Sequence, residues 1–322
     1  MHRFLALFAA LACSVLVVSS ACSASATNPL SFTLKPSDHG GKVYARFEKR
    51  EGRNTNNWSS DFPVADLAGL DMAGLRASGT RPVAFAVVRE AGRLDCNGTG
   101  GNSHAHGNCV FAADAGFAKY LDHHGIGRPK PDEQFGLMAL DVRRELVESL
   151  AAARYPMPTV GELMSLSALG VNSRYIADMA AVGYRAPDID TLIQFKALDI
   201  TPEFIRSFVR LGYANLPGDE LVQLKALDIR ADYVAGFERA GYGRLEADEL
   251  MQLKALNVTP EYASAFNRLG YGRLSVDQLV QLRALGVTPE FAASVRTSTG
   301  RVPSTDELVR RRMGIHELTR RR

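Results

Sequence analysis

The apolar positions in the last two-thirds of the chain repeat every 29 residues. One repeated position is always alanine: Ala139, Ala168, Ala197, Ala226, Ala255 and Ala284. The next is always leucine: Leu140, Leu169, Leu198, Leu227, Leu256 and Leu285. Another is usually aromatic: Leu146, Tyr175, Phe204, Tyr233, Tyr262 and Phe291. A period of this size is typical of a solenoid, because each unit buries its apolar face only by stacking on its neighbours.

Each unit is predicted to hold two short helices joined as an αα-hairpin. The apolar side of one helix comprises Leu221, Leu224 and Leu227. The other helix has apolar residues spaced i, i+4, i+7, namely Phe204, Phe208 and Leu211. We also expect the small alanines of the Ala226 column to let neighbouring helices approach closely.

The helix boundaries have their own sequence signals. Thr201-Pro202-Glu203 predicts a helix start, and the same pattern recurs after Thr259 and Thr288. Ser275 with Gln278 predicts a capping box. Glycines predict the ends of the other helices, at Gly212, Gly241 and Gly270, because a left-handed residue often ends a helix.

The repeat pattern predicts where the helical region starts and stops. We expect a half unit over Phe117–His124, six full units between Glu133 and Asp306, and a degenerate half unit over Glu307–Ile315. The predicted divisions are a leader (1–26), a β-rich domain (27–113), the repeat array (114–315) and a basic tail (316–322). The predicted fold class is α+β, with a small N-terminal antiparallel sheet region followed by an α-solenoid of 29-residue helical hairpins.

The β-rich domain is predicted from alternating and continuous apolar runs. The expected strands are Leu30–Leu34, Lys42–Phe47, Pro82–Arg89, Arg93–Asn97 and Asn108–Ala112. Pro63–Ala77 is predicted to form short helical turns, and Gly98–Gly107 a loop. Cys96 and Cys109 are equally distant from the middle of this loop, so symmetrical pairing would place them face to face. We therefore predict a disulfide between them.

The first residues resemble an export signal. Arg3 precedes an apolar run and small residues, and Ala24-Ser25-Ala26 fits a cleavage site before Thr27. The alternative is a lipoprotein cleavage before Cys22, which would then carry the lipid. Either route predicts an exported protein in the periplasm or envelope, where a disulfide is stable. The formal net charge is only +3, which does not indicate a nucleic-acid partner.

Two columns of polar and aromatic residues are candidates for a binding surface. They comprise Arg210, Arg239 and Arg268, and Tyr213, Tyr242 and Tyr271 with the related Tyr184. The favoured interpretation is structural: the arginines form a solvated helix face and the tyrosines pack in the hairpin turns. The Lys196, Lys225, Lys254 and Arg283 column is likewise interpreted as a solvated face with weak ion pairs between units. The alternative is a ladder that binds an extended ligand or partner.

The sequence contains no complete catalytic or metal-binding motif. His104 and His106 on a Gly-rich segment, with His123, are weak candidates for metal ligands because their spacing fits no closed zinc pattern. His316-Glu317 lacks the second histidine of a zinc-peptidase helix, where Arg320 stands instead. We therefore predict no cofactor and no catalytic residue. The C-terminal arginines are interpreted as a solvated basic tail, with contact to anionic lipid or an acidic partner as the alternative; they are Arg310, Arg311, Arg312, Arg320, Arg321 and Arg322.

The repeats resemble a known kind of envelope sequence. The units LVQLKALDIRADYVAGFERAGYGRLEADE and LMQLKALNVTPEYASAFNRLGYGRLSVDQ are similar to repeats that follow the peptidase domain in antirepressor-type membrane zinc peptidases. The segment FAADAGFAKYLDHHGIGRP resembles the one before those repeats. The likeness covers roughly Pro82 to Ile315, and the peptidase motif is absent from it. It implies a bacterial envelope setting and assigns no functional residue.

The leading hypothesis is therefore a non-enzymatic, secreted or lipid-anchored envelope protein that binds another envelope protein through the repeat array. The membrane would be reached only through the lipid at Cys22 or the basic tail. The alternative hypothesis is a metal-dependent binder or enzyme that uses the histidines near His104, His106 and His123.

Overall fold

The computed structural model describes residues 30–51 and 54–314. These residues divide into two compact units. The sheet unit contains the residues up to Val87 together with Leu94–Val110, and the helical unit contains Val88–Arg93 and the residues from Phe111 onward. The division therefore does not follow a single boundary along the chain. The predicted cleavage sites, Cys22 and the tail from His316 lie outside the described residues.

The fold class is α+β, as predicted. Six strands form one antiparallel sheet in the order β3-β2-β1-β6-β5-β4. The strands are β1 Leu30–Pro36, β2 Lys42–Glu51, β3 Asn54–Pro63, β4 Arg81–Arg89, β5 Gly92–Gly101 and β6 His104–Ala113. The first three strands and the last three each form a meander, and β1 joins the two meanders by pairing with β6. Strand β3 was not predicted, because its polar sequence lacks the apolar alternation of β1.

One face of the sheet is apolar and buried. Alternating residues on β1 (Leu30, Phe32, Leu34) and β2 (Val43, Ala45, Phe47) are buried, as period-two patterning requires. The connection between β3 and β4 forms a 3-10 turn over Val64–Asp66 and the short helix α1 over Met72–Arg76. Leu67 and Leu75 of this connection are also buried. The core of the sheet unit thus consists of alternate strand residues together with this connection.

The predicted loop over Gly98–Gly107 is wrong. Strands β5 and β6 continue through it, and only Asn102 and Ser103 turn the chain, with φ angles of 52° and 65°. Positive φ at both central residues is the geometry that matches the twist of a two-residue hairpin. The glycines are needed between the strands instead, because a Cβ at Gly98 would collide with the backbone of His106. A Gly-rich segment was therefore mistaken for a loop when its glycines permit a close strand pair.

Fourteen described helices follow the sheet. They are α2 Ala115–His123, α3 Pro131–Ala139, α4 Arg144–Ala152, α5 Val160–Ala168, α6 Ser173–Ala181, α7 Ile189–Ala197, α8 Pro202–Val209, α9 Gly218–Ala226, α10 Ala231–Arg239, α11 Ala247–Ala255, α12 Pro260–Phe266, α13 Val276–Ala284, α14 Pro289–Thr299 and α15 Thr305–Arg312. Among the described residues, no helix is both long and apolar enough to cross a membrane.

The predicted helix starts are confirmed by their capping geometry. The side chains of Thr201, Thr259 and Thr288 each accept a hydrogen bond from a backbone N–H in the first turn. Ser275 and Gln278 form the capping box. These contacts satisfy N–H groups that have no partner within the helix.

Helix ends repeat with the same period as the apolar residues. Residues with a left-handed backbone follow the odd-numbered helices α3 to α13, which we call the first helices; they are Asp141, Gly170, Asp199, Asp228, Asn257 and Gly286. Such residues also follow the even-numbered helices α2 to α12, the second helices; they are Gly125, Arg154, Gly183, Gly212, Gly241 and Gly270. In the turn after α9, the Ile229 N–H donates to the Leu224 carbonyl and the Asp228 N–H to the Lys225 carbonyl. This is the Schellman arrangement, which satisfies carbonyls that the helix leaves free.

The helices contact one another in two alternating series. Each odd-numbered helix from α3 to α13 contacts the next odd-numbered one. Among the even-numbered helices, α4 contacts α6, and α10, α12 and α14 contact in sequence. Buried residues Leu221 and Leu224 of α9 and Phe208 of α8 lie on the predicted apolar sides.

Two sequence interpretations of the helix faces are wrong. Ala226 and its equivalents from Ala168 to Ala284 are exposed, so they do not bring neighbouring helices together. Leu227 is 37% exposed, whereas Phe204 and Leu211 are partly buried and pack against the core as predicted. The buried side of α9 is therefore narrower than the sequence spacing predicted.

Candidate functional site

The turn tyrosines belong mainly to the packing of the helical unit. Tyr213 follows the left-handed Gly212, and its N–H donates to the Phe208 carbonyl at 3.1 Å. Its ring lies edge-to-face on Phe208, and its hydroxyl donates to the Leu245 carbonyl at 2.5 Å. Only 3% of Tyr213 is exposed. Tyr242 and Tyr271 are partly buried in equivalent places, and their rings pack on Phe237 and Phe266. These positions favour the structural interpretation of the tyrosine column.

The lysine column also contacts the rest of the helical unit. An ion pair of the expected kind joins Lys225 Nζ to Asp199 Oδ2 at 3.9 Å, whereas the contacts with aromatic rings were not predicted. Lys225 places its Nζ atom 5.2 Å from the ring centroid of Phe204 and 2.8 Å from the carbonyl oxygen of Asp199. Its side chain is only 29% exposed. The same cation–ring contact recurs between Lys196 and Tyr175, Lys254 and Tyr233, Arg283 and Tyr262, and Arg312 and Phe291. This column is therefore not a freely solvated face.

We expect Lys225→Ala to lower the free energy of unfolding by about 1 kcal/mol, since it removes a cation–π contact and a bond to a backbone carbonyl. Lys225→Arg should retain most of that stability, because Arg283 makes the same ring contact. Lys119→Ala provides a matched control on an exposed position of helix α2 and should change stability by less than about 0.5 kcal/mol. Urea unfolding of the three variants measures this. Equal effects at Lys225 and Lys119 would contradict the contact.

The arginine column remains exposed. Arg210 and Arg268 are solvent-exposed and make no ion pair within the described part of the chain. Arg239 is exposed as well, and its Nε atom donates to the carbonyl of Ala235 in its own helix. We call these three residues the arginine ridge. Arginine retains its charge and offers several donors, so an exposed series of arginines can bind carboxylates of a partner.

Partly exposed leucines repeat at a different position. Leu227 and Leu256 are 37% and 36% exposed, each next to an exposed alanine. Each occupies the C-cap of its helix, before the left-handed residue. The strict repetition of Ala-Leu is therefore not explained by complete burial, and the sequence alone had suggested the opposite.

The candidate metal ligands lie on two different elements. His104 and His106 are exposed residues of β6, not of a flexible loop, and they alternate with the buried Ala105. His106 Nε2 lies 3.5 Å from the Thr99 hydroxyl. His123 is the last residue of α2 in the other unit. Within residues 30–51 and 54–314, no group of three His, Cys, Asp or Glu side chains is arranged to hold a metal ion.

Cys96 and Cys109 are brought together by the β5–β6 pair. Their Sγ atoms lie at disulfide-bonding distance, and both residues are buried. Cys109 also lies opposite Leu30 on β1, so the pair is next to the centre of the sheet. This arrangement agrees with the predicted pairing across the hairpin.

A contact not foreseen from the sequence involves the turn between β4 and β5, which belongs to the helical unit. Arg89 Nη1 donates to the carbonyls of Met138 and Ala139 at the end of α3, both at 2.7 Å. Glu90 Oε2 accepts from the backbone N–H and Nη1 of Arg144 at the start of α4, both at 3.1 Å. A cation at a helix C-terminus and an anion at an N-terminus both match the helix dipole. This pair therefore fixes the α3–α4 turn.

The first arginines of the predicted basic region are part of a helix. Arg310, Arg311 and Arg312 lie in α15, where Arg311 pairs with Glu307 at 3.0 Å. Arg312 lies over the ring of Phe291. Its role resembles that of the lysine column, so these arginines are not all part of a free tail.

Comparisons of the chain with protein-family models, with curated proteins and with solved structures find no match. The resemblance to repeats that follow the peptidase domain of antirepressor-type zinc peptidases therefore stays an expectation from the quoted sequences.

Proposed function

We propose that the protein is a non-enzymatic binding protein of the bacterial envelope, and that its helical unit is an α-solenoid of 29-residue hairpins. The observation that carries the proposal is the arginine ridge. Arg210, Arg239 and Arg268 recur at one register, are exposed, and make no ion pair within the described residues. Arginine is among the residue types that most often anchor protein interfaces.

The solenoid interpretation is supported by contacts between units that recur with the sequence period. The Tyr175, Tyr233 and Tyr262 hydroxyls donate to the carbonyls of Ile200, Val258 and Val287, respectively. Each of these bonds spans the same number of residues along the chain. The contacts between successive odd-numbered helices follow the same order. Stacked units joined in this way present long, regular surfaces.

A binding role is supported by which side chains are already engaged. The turn tyrosines and the lysine column make contacts within the helical unit, so the repetition of these residues has a structural cause. Arg210 and Arg268 make no ion pair among the described residues, Arg239 bonds a carbonyl of its own helix, and Leu227 and Leu256 are more than a third exposed. The partner we propose is another envelope protein, in keeping with the leader-like N-terminus and the paired Cys96 and Cys109.

We expect the triple variant Arg210→Ala, Arg239→Ala, Arg268→Ala to lose most capture of envelope proteins while retaining its melting temperature. Removing several anchoring arginines weakens an interface by well over tenfold when they lie at its centre. Affinity capture from envelope extract, followed by mass spectrometry, measures the loss.

The matched control removes three arginines that are already paired with carboxylates on their own helix or turn: Arg174 with Asp178, Arg206 with Glu203, and Arg230 with Asp228. The control has the same change of net charge, so it should retain capture if the ridge itself is recognised. Unchanged capture by the ridge variant would place the interface elsewhere. Turnover of a substrate that depends on His104 and His106 would contradict the non-enzymatic function.

A further inference from the structure

Arginines cover two of the turn tyrosines in the helical unit, Tyr155 and Tyr213. The guanidinium carbon of Arg185 lies 5.5 Å from the ring centroid of Tyr155. That of Arg244 lies 4.9 Å from the ring centroid of Tyr213. A guanidinium over an aromatic face is held by the ring quadrupole, so each arginine acts as a cover for the tyrosine of the preceding turn.

Tyr184 lies between these two tyrosines and lacks such a cover. The residue 29 positions before Arg244 is Asn215, and its neighbour is Ala214. Asn215 has a left-handed backbone, with φ of 69°. In the α10–α11 turn the left-handed residue is Gly243, which is equivalent to Ala214 and so lies one position earlier. The α8–α9 turn thus has both a different backbone and no cation. Burial, Tyr155 and the negative charge of Asp219 together raise the pKa of Tyr184 to about 12, and no cation opposes them.

A cleft lies beside Tyr184 and Asn215. Its narrow part has a volume of about 160 Å³ and is lined by Tyr184, Phe208, Val209 and Leu216. An adjoining wider depression of about 570 Å³ shares Tyr184 and Leu216 and includes Asp219. The narrow part is close to the size of a cavity that holds one benzene ring, and well below that of a usual cofactor site.

The Tyr184 ring is held on one face, and its hydroxyl has no hydrogen-bond partner among the described residues. One face of the Tyr184 ring stacks on Phe195, with the centroids 5.5 Å apart. Its hydroxyl makes no hydrogen bond within the described residues, whereas the Tyr213 hydroxyl bonds Leu245. Gly218 also lines the wider depression, and its lack of a side chain leaves room beside Tyr184. A Cβ at Gly218 would lie only 3.3 Å from the Tyr184 hydroxyl oxygen. The other first helices carry larger residues there, such as Val276.

The charge beside the cleft is negative. Asp219 is exposed and makes no ion pair within the part of the chain that the structure describes. Burial and the nearby carboxylates of Asp219, Asp248 and Glu246 raise the pKa of Glu220, which shows that these four acids share one region. Arg185 also lines the wider depression, but its Nη1 atom donates to the Arg154 carbonyl at 2.6 Å. The Arg185 guanidinium is thus directed to a backbone carbonyl and makes no ion pair with Asp219, so the Asp219 carboxylate remains open to a cation from outside.

We propose that Tyr184, Asn215 and Asp219 form a site for one arginine side chain of a basic segment of the partner protein. The partner's guanidinium would lie over Tyr184 as Arg244 lies over Tyr213, and Asp219 would pair with its charge. The proposal rests on the proposed binding function but concerns a site separate from the arginine ridge. An arginine suits the cleft better than a lysine, because its planar group can stack on the ring.

The test is a titration of the purified protein with a fluorescent Gly/Ser peptide that carries a central arginine, followed by anisotropy. The reference is the same peptide with citrulline, which has the same shape without the charge. We expect the arginine peptide to bind at least about fivefold more tightly, the ratio that one cation–π contact with a partly screened ion pair supports. Equal affinity for the two peptides would overturn the proposal. So would tighter binding of a phenylalanine or glutamate peptide.

Three variants and one control locate the site. Asn215→Arg supplies the missing cover from within the chain, so it should abolish the preference for arginine while leaving the fold intact. Asp219→Asn should weaken arginine binding by about threefold. The control Asp306→Asn alters the equivalent position three units later and should have no effect. Arg244→Asn, which uncovers Tyr213, should create a second arginine site and raise the number bound.

The outcomes separate this inference from the proposed function. Retention of the arginine preference in Asn215→Arg, or equal effects of Asp219→Asn and Asp306→Asn, would exclude the cleft as the arginine site. The titration needs no envelope partner. Normal capture of an envelope protein together with no arginine preference would therefore reject the arginine site alone, whereas loss of capture in the ridge variant does not bear on it.

Discussion

Leu224→Asp is expected to lower the free energy of unfolding by about 3–5 kcal/mol, more than any exposed substitution on the same helix. Leu224 has no exposed surface and packs in the core around Phe208, Ile229 and Leu253. Its carbonyl also accepts the Ile229 N–H in the turn after α9. The substitution removes a leucine from this core and places there a carboxylate without a partner. Urea unfolding followed by circular dichroism measures the loss.

The matched control is Gln223→Asp, which introduces the same side chain one residue earlier on the exposed side of α9. This substitution should lower the free energy of unfolding by less than about 1 kcal/mol, mostly because aspartate has a poorer helix propensity. If the helical unit is the solenoid that we propose, it can unfold in part, so the shape of the transition should be recorded as well as its midpoint. Similar losses for the two variants would show that the buried side of α9 is wrongly assigned.

Replacing both Cys96 and Cys109 by alanine is expected to lower the stability of the sheet unit by about 2–4 kcal/mol. The bond joins residues 13 positions apart, so it restricts a short segment of the unfolded chain. Both side chains are buried in the sheet, and alanine avoids leaving a polar group there. Thermal unfolding with and without a reductant measures the effect. The reductant should destabilise the unaltered protein but not the double variant.

A thiol titration tests the pairing directly. The unfolded protein, purified after export and kept free of reductant, should show no reaction from Cys96 or Cys109. Reactive thiols at both positions under these conditions would rule out the disulfide, and the stability prediction would then lose its basis.

Local signals in the sequence were sufficient for the helices and their ends. Thr201 and Ser275 cap helices because their side chains bond N–H groups only two or three residues away, and Gly212 ends one because it tolerates a positive φ. Such interactions depend on a few neighbouring residues. For the same reason the period of Leu224 and its equivalents predicted buried positions that the structure confirms.

Strand pairing was decided by residues far apart in the chain. The glycines Gly98 and Gly107 indicated a loop locally, yet they allow β5 and β6 to lie close together. Strand β3 carries mainly polar residues and becomes a strand because β2 pairs with it along its length. Neither feature can be read from a short window of sequence, since the partner strand supplies the hydrogen bonds.

The candidate sites likewise combine features that the sequence predicted with contacts that only the structure shows. The sequence by itself determined the repeat, the helix caps, the α+β class and the two cysteines that face each other. Only the tertiary structure decided that Lys225 contacts Phe204, that Ala226 is exposed, and that Tyr184 lacks the arginine that covers Tyr213. These facts depend on where a neighbouring unit places its side chains. Repetition in a sequence shows which residues recur, but the packing of the helices determines which of them remain exposed.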